Sequence, residues 1–393
     1  MSQLGLGVCL GIVLLIVAVS RYFALMKEVR EAAREQARRD EKYRQVLEQA
    51  KAVEHEEKVR KAQSGHIPSI LSLAKENEIG NLREAVSWYQ KAAELGNEIG
   101  QNALARLCRQ DVDDPHGEAR SRYWTCIVKA NHNDPEALFE LGRYEIRGYG
   151  TAINTASGVG HLIQAAEMDY VPAQLFLGDW YVVESNPSPS PRSAFFWRLK
   201  SAVNRDPKGC IKVAYCYQTG IGVAKDRRRA IYWLEKATEL GSVEAQYLAG
   251  KMHLNYDQPV TNVTDAAVAY IWFSVAFASG YQDAKKERDM AVQHVGIESI
   301  LNVQKVAKQI YKLVHNPPVP EHAIMDLLDK VYDRSKYRPT DAELDGALGR
   351  INEDIDQVDY QTAAPAAPAQ SGGTGSAPTN WSGDMVTTES FTS

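Results

Sequence analysis

From Ser64 to about Ala291, apolar residues recur at spacings of three and four, in runs separated by Gly, Pro, Asn and Asp. That is the pattern of amphipathic helices joined by short turns. Short segments within it repeat: WYQKAAELG from Trp88, HLIQAAEMD from His161, WRLKSAVNR from Trp197, WLEKATELG from Trp233 and WFSVAFASG from Trp272, at steps of 73, 36, 36 and 39 residues. The first step is a double one, and RYWTCIVKANHN around Trp124 supplies the degenerate repeat inside it. Six repeats of about 36 residues result, a period that marks stacked helix pairs.

The first helices of the pairs align on Ala137, Ala173, Gly209 and Ala245. Four places on stand Leu141, Leu177, Val213 and Ala249, and five places on Gly142, Gly178, Ala214 and Gly250, small residues that let two helices approach closely. The repeats disagree at three, six and ten places on: Glu140, Phe176, Lys212 and Leu248; Arg143, Asp179, Tyr215 and Lys251; Arg147, Val183, Thr219 and Asn255. At 100° per residue these positions share one stripe, opposite the constant one. The variable stripe is either plain solvent surface or the surface that recognises a partner. Its polar and aromatic members Glu140, Arg143, Arg147, Asp179, Lys212, Tyr215 and Lys251 are the candidate contact residues.

Gly220 and Gly222 in GIGVAKD, like Gly148 and Gly150, follow the first helix of a pair. A phosphate loop needs a strand before it and Lys-Ser/Thr after it, so these glycines are expected to end one helix and turn into the next. The combination of Ala137 with Leu141-Gly142, of Gly220-Ile-Gly-Val-x-x-Asp226 and of Ala230-x-x-Trp-x-x-Lys-Ala237 resembles Sel1-like repeats, relatives of tetratricopeptide repeats. AVAYIWFSVAFASGYQDAKKERDMA is similar to the way bacterial members close their arrays. The resemblance covers about Ser64 to Ala291 and implies a right-handed superhelix of helix pairs that binds other proteins. Departures occur: the second repeat lacks the Gly-x-Gly turn, the third has His161 in the Trp place, the fourth has NPSPSPRS for its turn, and the sixth carries the longer loop NYDQPVTNVTD.

Outside the array, Ser2 to Ser20 are uncharged and mostly apolar, and as a helix would span roughly 28 Å, about a bilayer's hydrocarbon thickness. No basic n-region or small-residue cleavage site frames them as a signal peptide. A membrane anchor is expected over residues 1–26, and Arg21, Lys27, Arg30, Arg34, Arg38 and Arg39 on its far side predict a cytoplasmic body. Residues 27–63 are Ala-, Glu- and Arg-rich and predict a stalk helix. Its seam of Met26, Val29, Ala33, Tyr43, Leu47 and Ala50 is interrupted by Gln36 and Asp40, so a homodimeric coiled coil and a lone solvated helix stand as equal alternatives. Residues 292–360 are expected to form helices that cap the last repeat. The acidic stretch Asp341 to Asp359 either pairs with a basic surface or is solvated. Residues 361–393, rich in Ala, Pro, Gly, Ser and Thr, are expected to be disordered.

Composition adds exclusions. A formal charge of −5 with basic and acidic residues mixed argues against a nucleic-acid partner. Five dispersed cysteines without a C-x-x-C pair read as reduced structural thiols. SLAK, Ser72 to Lys75, has the S-x-x-K form of penicillin-recognising enzymes but lacks S-D-N and K-T-G. His55-Glu56 has Val59 where a second zinc ligand would stand. His161 reads as a satisfied core residue, the repeat tryptophans as core, and Lys225 to Arg229 as an exposed cationic run. No catalytic, metal or cofactor site is therefore expected. The fold expected is all-α, a helical-repeat solenoid with an N-terminal transmembrane helix, acting as an anchored scaffold for protein partners. The alternatives are an envelope enzyme of β-lactamase or penicillin-binding type, which the family's cysteine-rich subgroup suggests though its regular Cys pairs are missing, and a periplasmic array on cell-wall polymers.

Overall fold

The computed structural model describes residues 3–111, 114–254, 263–334 and 337–355, without the side chains of 3–18, 32, 263 and 350–355. The described residues are helical, with turns and no strand. They form two compact units, Met1–Asn154 and Thr155–Ser393.

The N-terminal unit holds α1 (Gln3–Gln63), α2 (Ile67–Asn77), α3 (Leu82–Glu94), α4 (Glu98–Leu107), α5 (Gly117–Ala130) and α6 (Pro135–Arg147). Each helix packs on the next in chain order. Buried Ala74, Tyr89, Leu104 and Leu107 form a core beneath Trp88 and Trp124. Helix α1 is one rod of 61 residues, on the order of 90 Å long, and its apolar opening continues without a break into the charged stretch. Among the described residues no helix is long and apolar enough to cross a membrane. The expected single-pass anchor and membrane address are thereby corrected. What composition alone presents as a separate apolar span is the start of a long, mostly polar helix.

The C-terminal unit holds α7 (Thr155–Glu167), α8 (Val171–Trp180), α9 (Pro191–Val203), α10 (Pro207–Thr219), α11 (Arg227–Glu239), α12 (Val243–Leu254), α13 (Val263–Ala278), α14 (Ala284–Ala291), α15 (Ile297–Val314), α16 (Ala323–Tyr332) and α17 (Asp341–Ile355). From α7 to α14 each again packs on its successor. In the pairs α8/α9, α10/α11 and α12/α13 we call the first member A and the second B. The sixth-repeat loop and the C-terminal stretch read as disordered lie almost wholly outside the described residues.

Local chemistry sets the helix ends. The Asp134 carboxylate accepts from the N–H of Glu136 and Ala137 at 3.1 and 3.4 Å, Asp206 from Gly209 at 2.6 Å, and Asp226 from Arg228 and Arg229 at 3.0 and 3.1 Å. Each satisfies a donor the helix itself leaves open. Pro135 and Pro207 then occupy the first turn, where no N–H is needed. At the other end Gly148 and Gly220 take left-handed backbone at φ of 72° and 87°. Gly222, also left-handed, lies against the Pro191 carbonyl with no room for a methyl, so the turn's second glycine is needed for close approach to the previous B helix. The Gly-x-Gly motif is a helix stop and a packing contact.

The B helices are buried nearly all round. Trp197, Trp233 and Trp272 are 2%, 4% and 0% exposed, which makes the repeat tryptophans of this unit core residues. Helix α15 lies on α13, but α16 lies on α11 and α17 on α9. After α15 the chain therefore runs back along the B helices.

Candidate functional site

The variable A-helix stripe falls in both units. On α6, Arg143 donates to Glu140 at 2.7 Å and its guanidinium sits 5.4 Å from the Phe139 ring centre. Arg147, one turn on, is exposed. Partial desolvation of its guanidinium and the nearby Arg143 push its pKa below the usual arginine value. In the C-terminal unit, Asp179 of α8 accepts from Lys212 of α10 at 2.9 and 3.0 Å and from Arg198 of α9 at 3.1 Å. Three helices thus meet on one half-buried carboxylate. Phe176 and Trp180 stack beside it with ring centres 6.5 Å apart. Tyr215 is half-buried, and the Lys251 ammonium lies 5.7 Å from the Tyr247 ring centre. Asn255 lies outside the described residues. On α8 to α10 two cations, Arg198 and Lys212, converge on the single Asp179 carboxylate.

A second polar constellation escaped sequence reasoning. Glu235 of α11 is 2% exposed, yet it accepts from both terminal nitrogens of Arg334 at 2.7 and 3.0 Å, lies 3.3 Å from His253 Nε2, and faces the Trp272 indole N–H at 3.4 Å. Nδ1 of His253 lies 3.2 Å from Asp265. Burial alone would push the Glu235 carboxyl up, but Arg334 and His253 more than reverse this and hold it at about 2. Arg334 also contacts Asp329 at 3.0 Å, and Arg338 bridges Asp326 and Asp329 at 2.9 and 3.0 Å. One turn beyond Glu235, the Glu239 carboxylate accepts from the backbone N–H of His322, Ile324 and Met325 at 3.1, 3.0 and 3.4 Å. It caps α16 from another helix. A cleft of about 360 Å³ opens beside this network, bordered by Tyr232, Tyr337, Arg228 and Arg338.

The other sequence candidates have structural explanations. The cationic run opens α11, where Asp226 is the cap. The Arg227 guanidinium reaches the terminal carbonyls of α12, Met252 and His253, at 3.0 and 3.2 Å. Arg229 lies between the rings of Tyr217 and Tyr337 and 3.5 Å from Glu343, so the acidic stretch touches a basic residue of the array. Ser72 sits inside α2 and donates to Glu76 at 3.0 Å, a helix-surface bond. The described cysteines are free, and burial pushes Cys126 to about 11 and Cys210 to about 12, leaving thiols rather than nucleophilic thiolates. Among the described residues no group of three or more His, Cys, Asp or Glu could hold a metal ion.

The Sel1 repeat family model matches residues 78–97, 135–170, 207–242 and 243–281. The chain is a Sel1-repeat protein. The segments 207–242 and 243–281 each run from the A helix into the B helix of one pair, α10/α11 and α12/α13. The Sel1-repeat chain is 26% identical to an uncharacterized protein of Neisseria meningitidis serogroup B, over 48% of this chain and 46% of that one. It is also 26% identical to the chitin synthase regulator SKT5 of Saccharomyces cerevisiae, over 41% of this chain and 24% of that one. These matches span less than half of either relative. Among solved structures, a protective antigen of uropathogenic Escherichia coli with an SLR fold is 19% identical, with a TM-score of 0.38, over 82% of this chain and 62% of that one. A Sel1 repeat protein from Oxalobacter formigenes is 32% identical, with a TM-score of 0.30, over 32% of this chain and 94% of that one. Sel1-repeat proteins are generally scaffolds for protein interaction and typically not enzymes.

Proposed function

We infer that this chain is a scaffold that binds an acidic segment of a partner protein on its A-helix stripe. The observation that carries the reading is the arrangement of Lys212, Tyr215 and Lys251 on successive A helices of one compact unit, with Asp179 compensating only part of the charge that faces it. A carboxylate-bearing partner would complete that charge, while Phe176, Trp180 and Tyr215 offer the aromatic contact area typical of interface anchors. On α6, Glu140, Arg143 and Arg147 hold the corresponding stripe places and belong to the same reading. Holding and positioning a partner requires no bond chemistry.

The test is affinity capture after crosslinking in the cells that make the protein, comparing wild type with the Lys212→Glu/Lys251→Glu double variant. Both substitutions lie on half-buried surface positions, and an unchanged melting profile would show that the fold is retained. Loss of a reproducible partner in the double variant supports the A-helix face. Equal capture by both proteins removes it.

A further inference from the structure

Along α11 the residues Arg229, Tyr232, Glu235, Lys236 and Glu239 recur every three or four positions and therefore share one stripe. Every member engages the chain beyond Pro320. Arg229 meets Tyr337 and Glu343, Tyr232 meets His322 and the Tyr337 ring, Glu235 meets Arg334, Lys236 meets Glu321, and Glu239 meets the first N–H groups of α16. Counted from the repeat tryptophan, Glu235 corresponds to Gln90, Ile163, Leu199 and Ser274, and Arg229 to Glu84, Ser157, Ser193 and Val268, whereas Lys236 recurs as Lys91 and Lys200 and Glu239 as Glu94 and Glu167. Arg229 and Glu235 thus serve what lies over α11 and not the packing common to the repeats, while the recurrent Lys236 and Glu239 are put to the same use here. A stripe that never met water would gain more from apolar residues, because burying ions costs more than their attraction returns unless every partner is in place.

The covering segment has the features of a helical ligand. Ile324 and Leu328 on α16 stand four residues apart and are buried in the array's core, and Leu344 and Leu348 on α17, also four apart, pack against it half-buried, as anchors of a helix in a groove do. The segment leaves α15 through Asn316-Pro-Pro-Val-Pro320, a spacer that cannot continue a helix. It then lies on α11 and α9, against the order in which the repeats follow one another.

We propose that residues Glu321 to Leu348 are a detachable intramolecular ligand, and that the α9–α11 face beneath them is a docking surface distinct from the A-helix stripe. The occupant is this segment, recognised by an arginine for Glu235 and a helix N-terminus for Glu239. When it leaves, the face it bares carries the polar stripe of Arg229, Glu235, Lys236 and Glu239 beside the apolar seats of Ile324, Met325 and Leu328.

The experiment uses the full chain with a protease site inserted between His315 and Asn316. After cutting, a fluorescent synthetic peptide of residues 319–349 is added in excess and binding is read by anisotropy, with circular dichroism of the cut chain alongside. The expected result is native helicity, entry of the peptide, and binding roughly tenfold or more weaker for a peptide with Arg334→Ala. Loss of helicity on cutting, exclusion of the peptide from a natively helical chain, or equal binding by the Arg334→Ala peptide would each overturn the proposal.

Discussion

Glu235 shows what a single residue contributes when its partners come from far along the chain. Its carboxylate is wrapped by Arg334, His253 and the Trp272 N–H, so Glu235→Ala leaves the largely buried Arg334 guanidinium with Asp329 alone, a carboxylate it shares with Arg338, and should cost about 3–5 kcal/mol in urea unfolding. The pH dependence follows from the sign of the shift. With the folded carboxyl held at about 2 against an ordinary 4.5, its stabilisation is present above 4.5 and is lost as pH falls toward 2, on the order of 3 kcal/mol in all. The stability gap between wild type and Glu235→Gln should therefore close across that window, and a constant gap would contradict the assignment. Glu239 runs the other way: burial, outweighing its three backbone donors, raises its pKa, so its carboxylate form opposes folding as pH climbs above 4.5. Neither residue was legible in the sequence, because Arg334 lies 99 positions from Glu235 and helical periodicity carries no information at that separation. The usable signal was that Glu235 breaks the repeat, standing where other repeats have Gln90, Ile163, Leu199 and Ser274, whereas Glu239 recurs as Glu94 and Glu167 and gave none.

At the scale of the element, the helices were legible because each is delimited by local chemistry. Asp134, Asp206 and Asp226 begin helices and Gly148 and Gly220 end them. Asp226→Ala should destabilise by about 1 kcal/mol in thermal or urea unfolding, from two unpaired N–H groups at the start of α11. Gly222→Ala should cost more, about 1–3 kcal/mol, since a methyl meets both left-handed backbone and the Pro191 carbonyl; a neutral result would contradict the packing account of that turn. The close approach expected of the small A-helix residues is realised at Gly250, where an added Cβ would lie 2.7 Å from the Phe273 ring. Less legible was the role of the B helices. In the structure α16 lies on α11 and α17 on α9, a covering that no local spacing in the sequence announces.

For the molecule as a whole, the 36-residue period was sufficient to give a stack of helix pairs, and the Sel1 match places its repeats on those pairs. The membrane address was misjudged because the apolar opening was weighed as a span by itself, while it belongs to the 61-residue α1. If binding is electrostatic across the A-helix stripe, partner affinity should fall as salt is raised from about 0.05 to 0.5 M, as exposed charge pairs become screened. The most direct test of the scaffold reading is covalent footprinting of lysines and tyrosines in the full chain, with and without its captured partner. The account predicts that Lys212, Tyr215 and Lys251 lose reactivity together when the partner is bound. Unchanged reactivity at all three, with protection elsewhere, would contradict it.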